Sequence, residues 1–171
     1  QKMFENTSIS NLCGAVFWKR KIDNKVAEKA LNKFIELQNG MRLQFHDKNG
    51  EVMQYVAPCI YTHFPFVKFD NRQEFEKYAQ EFTLCPFEMI DKPMYRFVIF
   101  ELNGTSGVLA CLNHMISDAW TFSLLAKGVW NLCLEFETNK DSEHEIHDYF
   151  DFVESEQKYL ESERCQKDVE Y

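Results

Sequence analysis

The tightest constraint on how this chain can fold is the stretch Gly107-Val108-Leu109-Ala110-Cys111-Leu112-Asn113-His114-Met115-Ile116-Ser117-Asp118-Ala119-Trp120. It opens as a short apolar run entered from the turn signal Asn103-Gly104, the pattern of a buried strand. At Asn113 the run becomes polar, and from Trp120 apolar residues recur at helical spacing. A His therefore stands where a buried strand ends, with an Asp four residues on, before a helix begins. Open α/β sheets place their chemistry at strand ends of this kind. His changes charge near neutral pH, and an Asp can fix its tautomer or brace its loop. Spacing alone favours the plainer alternative, a buried and satisfied His at a strand terminus with Asp118 as an ordinary helix N-cap.

The rest of the chain alternates strand and helix patterns. Ile9 to Arg20 reads as a strand, and Asp23 or Asn24 caps a helix that aligns Val26, Ala30 and Phe34 with Ala27, Leu31 and Ile35. Asn39-Gly40 supplies a left-handed stop to that helix. A hairpin follows, Met41–Phe45 with Glu51–Val56, turned at Asp47–Gly50. Next come a strand near His63–Phe69, a helix from about Asn71 to Thr83, and a strand over Met94–Glu101. The helix from Trp120 carries a stripe of Leu124, Leu125, Gly128, Val129, Leu132 and Cys133. A polar linker, Thr138–His147, leads to a final helix over about Asp148–Arg164. Interleaved strands and helices imply an α/β or α+β sandwich, a mixed sheet covered by helices.

At 171 residues the chain reads as one domain, able to bury roughly two-thirds of its unfolded surface. A hydrophobic fraction of 45%, with sixteen Phe, implies a filled core. The net charge of −8, with no Lys or Arg cluster, argues against nucleic-acid and anionic-membrane partners. The acidic runs Glu135-Phe136-Glu137 and Glu143-His144-Glu145 read as a solvated face. Six Cys, none in C-x-x-C pairs or at zinc spacing, read as reduced thiols in a cytoplasmic protein that binds no metal. No apolar run approaches the ~20 residues of a membrane span. Gln1 in place of an initiating Met suggests an excised or processed piece.

Asn113-His114-Met115-Ile116-Ser117-Asp118-Ala119-Trp120 resembles the His-His-x-x-x-Asp-Gly signature of condensation domains from nonribosomal peptide synthetases, within the chloramphenicol acetyltransferase-like superfamily. His114 matches the second, catalytic His and Asp118 the Asp. Asn113 stands in place of the first His and Ala119 in place of the Gly. Gly40-Met41-Arg42-Leu43-Gln44-Phe45 is similar to the family's Leu-Arg-x-x-Phe segment, and Pro86-Phe87-Glu88-Met89 through Pro93-Met94-Tyr95-Arg96 to its Pro-Phe-Asp-Leu…Pro-Leu-x-Arg element. Tyr149–Leu160 and Lys167–Tyr171 resemble the helical segment closing its N-terminal half.

The resemblance implies a chloramphenicol acetyltransferase-like half-domain spanning 1–171, the N-terminal subdomain of a condensation domain whose C-terminal half is absent from this chain. It implies acyl transfer between thioesters carried on the phosphopantetheine arms of carrier domains, with His114 in the tunnel between the halves. It binds no cofactor directly. Asp118 is expected to brace the loop through an ion pair with Arg42, with Asn113, Ala119 and Trp120 beside the site. A stand-alone acyltransferase, an epimerisation domain or a non-catalytic docking scaffold of the same superfamily are the alternatives. A one-walled half should also leave apolar surface exposed where its partner half would pack.

Overall fold

A computed structural model describes residues 7–140, 144 and 148–170. A 3₁₀ turn at Thr7–Ser10 leads into β1 (Asn11–Phe17). Helix α1 (Asn24–Leu37) starts on Asp23, whose carboxylate accepts the backbone N–H groups of Lys25 and Val26. It does not end as expected. Gln38 closes it in an extended conformation, and Asn39–Arg42 continue as a 3₁₀ turn. Asn39 is not free to act as a left-handed cap because its buried amide works at long range. It donates to Asp148 Oδ1 at 2.7 Å and accepts from the Tyr149 N–H at 2.8 Å.

The hairpin β2 (Leu43–Lys48) and β3 (Glu51–Val56) forms a separate two-stranded sheet. Its turn residues Asn49 and Gly50 both have positive φ, 57° and 90°, the geometry that matches strand twist in a two-residue hairpin. Asn103 and Gly104, at 51° and 76°, do the same between β5 (Tyr95–Leu102) and β6 (Thr105–Asn113). The main sheet runs β1-β6-β5-β4, where β4 is Phe66–Phe69, shorter than the sequence pattern implied. β4 lies parallel to β5, and α2 (Arg72–Leu84) makes the crossover that a parallel pair requires. The other pairs are antiparallel, so the sheet is mixed.

Both faces of the central hairpin are buried. Phe97, Ile99, Val108, Ala110 and Leu112 point into a core shared with α1 and α3 (Ala119–Thr138). Val98, Phe100, Leu102 and Leu109 point the other way, against Phe75 of α2. Alternate side chains of one strand thus feed two cores. The α3 stripe packs as expected at Leu125, Val129, Leu132 and Cys133, whereas Leu124 is exposed. Gly128 lets α3 approach Phe34 of α1, since a Cβ there would meet the ring at 2.7 Å. No helix among the described residues is long and apolar enough to cross a membrane.

Three further expectations change. The final helix is two helices, α4 (Tyr149–Leu160) and α5 (Glu163–Glu170). Ser162 separates them: its hydroxyl donates to the Tyr159 carbonyl and accepts the Cys165 N–H. The acidic pair on α3 is not merely solvated, because Glu137 meets Arg20 and Glu135 meets His144 at 2.9 Å. Glu143 and Glu145, with most of the linker, lie outside the described residues. The cysteines are not all reduced. Cys13 and Cys111 stand opposite each other in the β1–β6 register and are joined by a disulfide, with Cα atoms 4.2 Å apart. Sequence alone could not pair residues 98 positions apart. Cys133 remains a buried thiol, pushed by that burial up to about 12.

Two outcomes follow from this packing. A methyl at Gly107 would press on the Phe100 ring and the Val16 carbonyl oxygen, so Gly107→Ala should cost about 1–3 kcal/mol in denaturant unfolding. Alkylation of the unreduced, denatured protein should label Cys59, Cys85, Cys133 and Cys165 and spare Cys13 and Cys111. Labelling of all six would show the cross-link absent.

Candidate active site

The turn after β6 is built from the sheet outward. The Asn113 N–H donates to the Met94 carbonyl at 2.9 Å and the His114 N–H to the Ser10 carbonyl at 2.8 Å, so residues just before β5 and β1 hold the strand end. Asn113 is fully buried. Its Oδ1 accepts the Met115 N–H at 3.0 Å, an Asx-turn that starts the reversal of the chain. Its carbonyl accepts the Ile116 N–H at 3.0 Å and the Ser117 hydroxyl at 2.9 Å. An Asn thus folds the turn at the place where the signature has its first His.

His114 is exposed, and its Nδ1 lies 2.7 Å from the Ser117 carbonyl oxygen. A carbonyl can only accept, so Nδ1 carries the proton. In the neutral ring Nε2 then holds the lone pair. The turn therefore presents a defined base rather than a mixture of tautomers. Met115 (57%) on the same turn, and Trp120 (69%) and Leu124 (46%) in the first turns of α3, leave large apolar side chains in solvent. Ala119 is exposed as well, so its methyl meets no crowding within this chain.

Asp118 and Arg42 are not a pair. Asp118 is the N-cap of α3: its carboxylate accepts the Thr121 N–H at 2.8 Å and the Thr121 hydroxyl at 2.9 Å, and that hydroxyl accepts the Asp118 N–H at 3.1 Å. This is a reciprocal capping box. Arg42 sits by the C-terminal end of α1. Its guanidinium donates to the carbonyls of Ile35, Ala57 and Glu36 at 3.3, 2.7 and 3.4 Å. A cation is favourable at the negative end of a helix, where carbonyls lack intrahelical partners. Both ends of the expected ion pair are thus satisfied locally.

Of the six residues singled out in sequence, Asn113, His114, Asp118, Ala119 and Trp120 fall on one turn and its following helix, and Arg42 does not join them. Sequence reasoning missed Ser117 and Thr121. Thr121, three residues after Asp118, is the signal that would have found the capping box. Nothing in the sequence distinguishes the Ser117 carbonyl from its neighbours. A cavity of about 610 Å³ lies elsewhere, lined by Lys29, Asn32, Lys33, Glu36, Cys59, Tyr61 and Phe136. No group of three or more His, Cys, Asp or Glu side chains is gathered for a metal among the described residues.

The Thr121 N–H holds the Asp118 carboxyl below its ordinary 3.8. Folding depresses this carboxyl, so its contribution to stability is complete above pH 3.8 and fades as the pH falls through the depressed value. At neutral pH Asp118→Asn, which still caps, should melt close to wild type, whereas Asp118→Ala should melt lower. Thermal melts should also show the effects of Asp118→Ala and Arg42→Ala adding. Strong coupling between the two would restore the ion pair.

Known proteins share both the sequence and the fold. The condensation-domain family model matches residues 1–171. Surfactin synthase subunit 1 of Bacillus subtilis is 31% identical over 177 aligned positions, covering 98% of this chain and 5% of that protein. Tyrocidine synthase 3 of Brevibacillus parabrevis is 24% identical over 170 aligned positions, covering 98% of this chain and 2% of that protein. Among solved structures, the starter condensation domain of rhizomide synthetase superposes with a TM-score of 0.85 at 17% identity, covering 95% of this chain and 41% of that one. The epimerization domain from the third module of tyrocidine synthetase B gives 0.82 at 14% identity, covering 99% and 40%. The chain thus spans a small part of the curated relatives and about two-fifths of the solved chains. Its mixed sheet, covered by helices on both faces, is part of the chloramphenicol acetyltransferase-like fold, and the chain belongs to the condensation-domain family.

Proposed function

We propose that this chain is the N-terminal half of a condensation domain in a nonribosomal peptide synthetase, and that His114 acts in amide formation between two carrier-bound thioesters. The observation that carries this reading is the His114 Nδ1–H held by the Ser117 carbonyl, which leaves an exposed Nε2 lone pair at the end of a buried strand. The acceptor's α-amine donates a hydrogen bond to Nε2, which turns the nitrogen lone pair towards the donor thioester carbonyl. As the C–N bond forms and the C–S bond breaks, the amine's proton passes to Nε2 and then to the departing thiolate. The products are a carrier-bound amide and a free carrier thiol. General base catalysis of this kind contributes about 10²–10⁴-fold.

The chain itself holds no cofactor in this scheme. The phosphopantetheine arms arrive with the carrier domains, as part of the substrates. The exposed apolar side chains of Met115 on the His114 turn, of Trp120 and Leu124 on α3, and of Phe152 and Leu160 on α4, support a second wall supplied by the C-terminal half. A site with one wall admits water and loses the positioning that acyl transfer depends on.

The experiment uses loaded donor and acceptor carriers with the full-length parent. His114→Ala should lower amide formation by about 100-fold or more with an unchanged melting temperature. The 171-residue chain alone should fold and give no turnover. Wild-type rates in the variant would remove His114 from the chemistry and favour the docking scaffold. Deuterium exchange at the α-carbon of a carrier-bound aminoacyl thioester, without amide formation, would instead identify an epimerase.

A further inference from the structure

We infer that Ser117 and Thr121 are positioning residues whose hydroxyls clamp the single peptide unit between Ser117 and Asp118, and that this clamp sets the tautomer of His114. The carbonyl of that unit accepts the His114 Nδ1–H at 2.7 Å. Its N–H, on the other side of the same rigid plane, donates to the Thr121 hydroxyl at 3.1 Å. The Thr121 hydroxyl donates in turn to the Asp118 carboxylate at 2.9 Å, which leaves its lone pair directed at the Asp118 N–H. The Ser117 hydroxyl is buried and donates to the Asn113 carbonyl at 2.9 Å. Asn113 is itself fixed to the sheet through the Met94 carbonyl.

The peptide plane is therefore held from both ends, by the sheet through Ser117 and by the α3 N-terminus through Thr121. A plane held this way cannot rotate its carbonyl away from the imidazole. Asp118 acts on His114 through Thr121 and the peptide, with no direct contact and no arginine partner. Ser117 is buried between the exposed residues His114, Met115, Asp118 and Ala119, the burial expected of an anchoring side chain on an otherwise open turn. The tautomer is a property of this chain alone, whereas its catalytic consequence rests on the function proposed above.

The test is long-range ¹H–¹⁵N NMR of the ¹⁵N-histidine-labelled chain, at a pH where the ring is neutral. The His114 signals, one set among five His, are assigned by their loss in His114→Ala. The wild type should show a protonated Nδ1 and a bare Nε2. Ser117→Ala and Thr121→Ala should each move the ring towards a mixture of tautomers, and Thr121→Ser, which keeps the hydroxyl, should restore the wild-type pattern. Unchanged signals in folded Ser117→Ala and Thr121→Ala, judged by circular dichroism, overturn the inference. Should Ser117→Ala fail to fold, Thr121→Ala decides, because the Asp118 carboxylate still caps the Thr121 N–H in that variant. In the parent enzyme Thr121→Ala should lower kcat about tenfold or more with KM unchanged, and Thr121→Ser should recover it. Full activity of His114→Ala would refute the functional reading and leave the NMR result to judge the clamp.

Discussion

The structure depends on one constraint: the β5–β6 hairpin must be covered on both faces. Phe97 and Ile99 face one way while Val98 and Phe100 face the other, and all four are buried. A strand of this kind exposes apolar surface unless helices lie on both sides of it. The chain meets that need with α1 and α3 on one side and α2 on the other. Gly107 allows β6 to sit against the Phe100 ring and the β1 backbone, and Gly128 allows α3 to sit against Phe34. The end of β6 is tied to its neighbours by backbone hydrogen bonds to the Met94 and Ser10 carbonyls. The residues that follow it inherit a fixed starting point.

The candidate site uses that fixed point. Asn113 closes the sheet, Ser117 ties back to Asn113, and the Ser117 carbonyl receives the imidazole proton. No ion pair is needed to hold the arrangement, since neutral hydrogen bonds and a helix cap suffice. This accounts for the motif Asp without an arginine partner. A capping carboxylate at the start of α3 shapes the same turn that carries the His. The site remains open to solvent, and Met115, Trp120 and Leu124 on the same turn and the helix that follows it are exposed as well.

Much of this was legible in the chain and some was not, for physical reasons. The Asn49-Gly50 and Asn103-Gly104 turns were visible because two adjacent residues at positive φ leave few other choices. Helices α1, α2 and α3 declared themselves through apolar spacing, and Asp23 and Asp118 stood out as candidate caps. Asn39-Gly40 misled because a cap is a local device, and Asn39 spends its amide on Asp148 and Tyr149 over a hundred residues away. Arg42 misled for a related reason. The charge that a distant Asp would have answered is answered by three nearby carbonyls. Cys13 and Cys111 became neighbours only through strand register, which no spacing rule contains. His114 and Asp118 were recognisable by motif, but the peptide unit that links them is backbone and leaves no side-chain trace.

The central claim is that His114 presents Nε2 to the attacking amine. A crystal structure of the parent domain, with a non-hydrolysable acceptor analogue on its carrier arm, measures this directly. The account predicts the acceptor nitrogen within ~2.6–3.2 Å of His114 Nε2, with Nδ1 still on the Ser117 carbonyl. An acceptor nitrogen bound away from His114, or a ring turned so that Nδ1 faces the substrate, would contradict it.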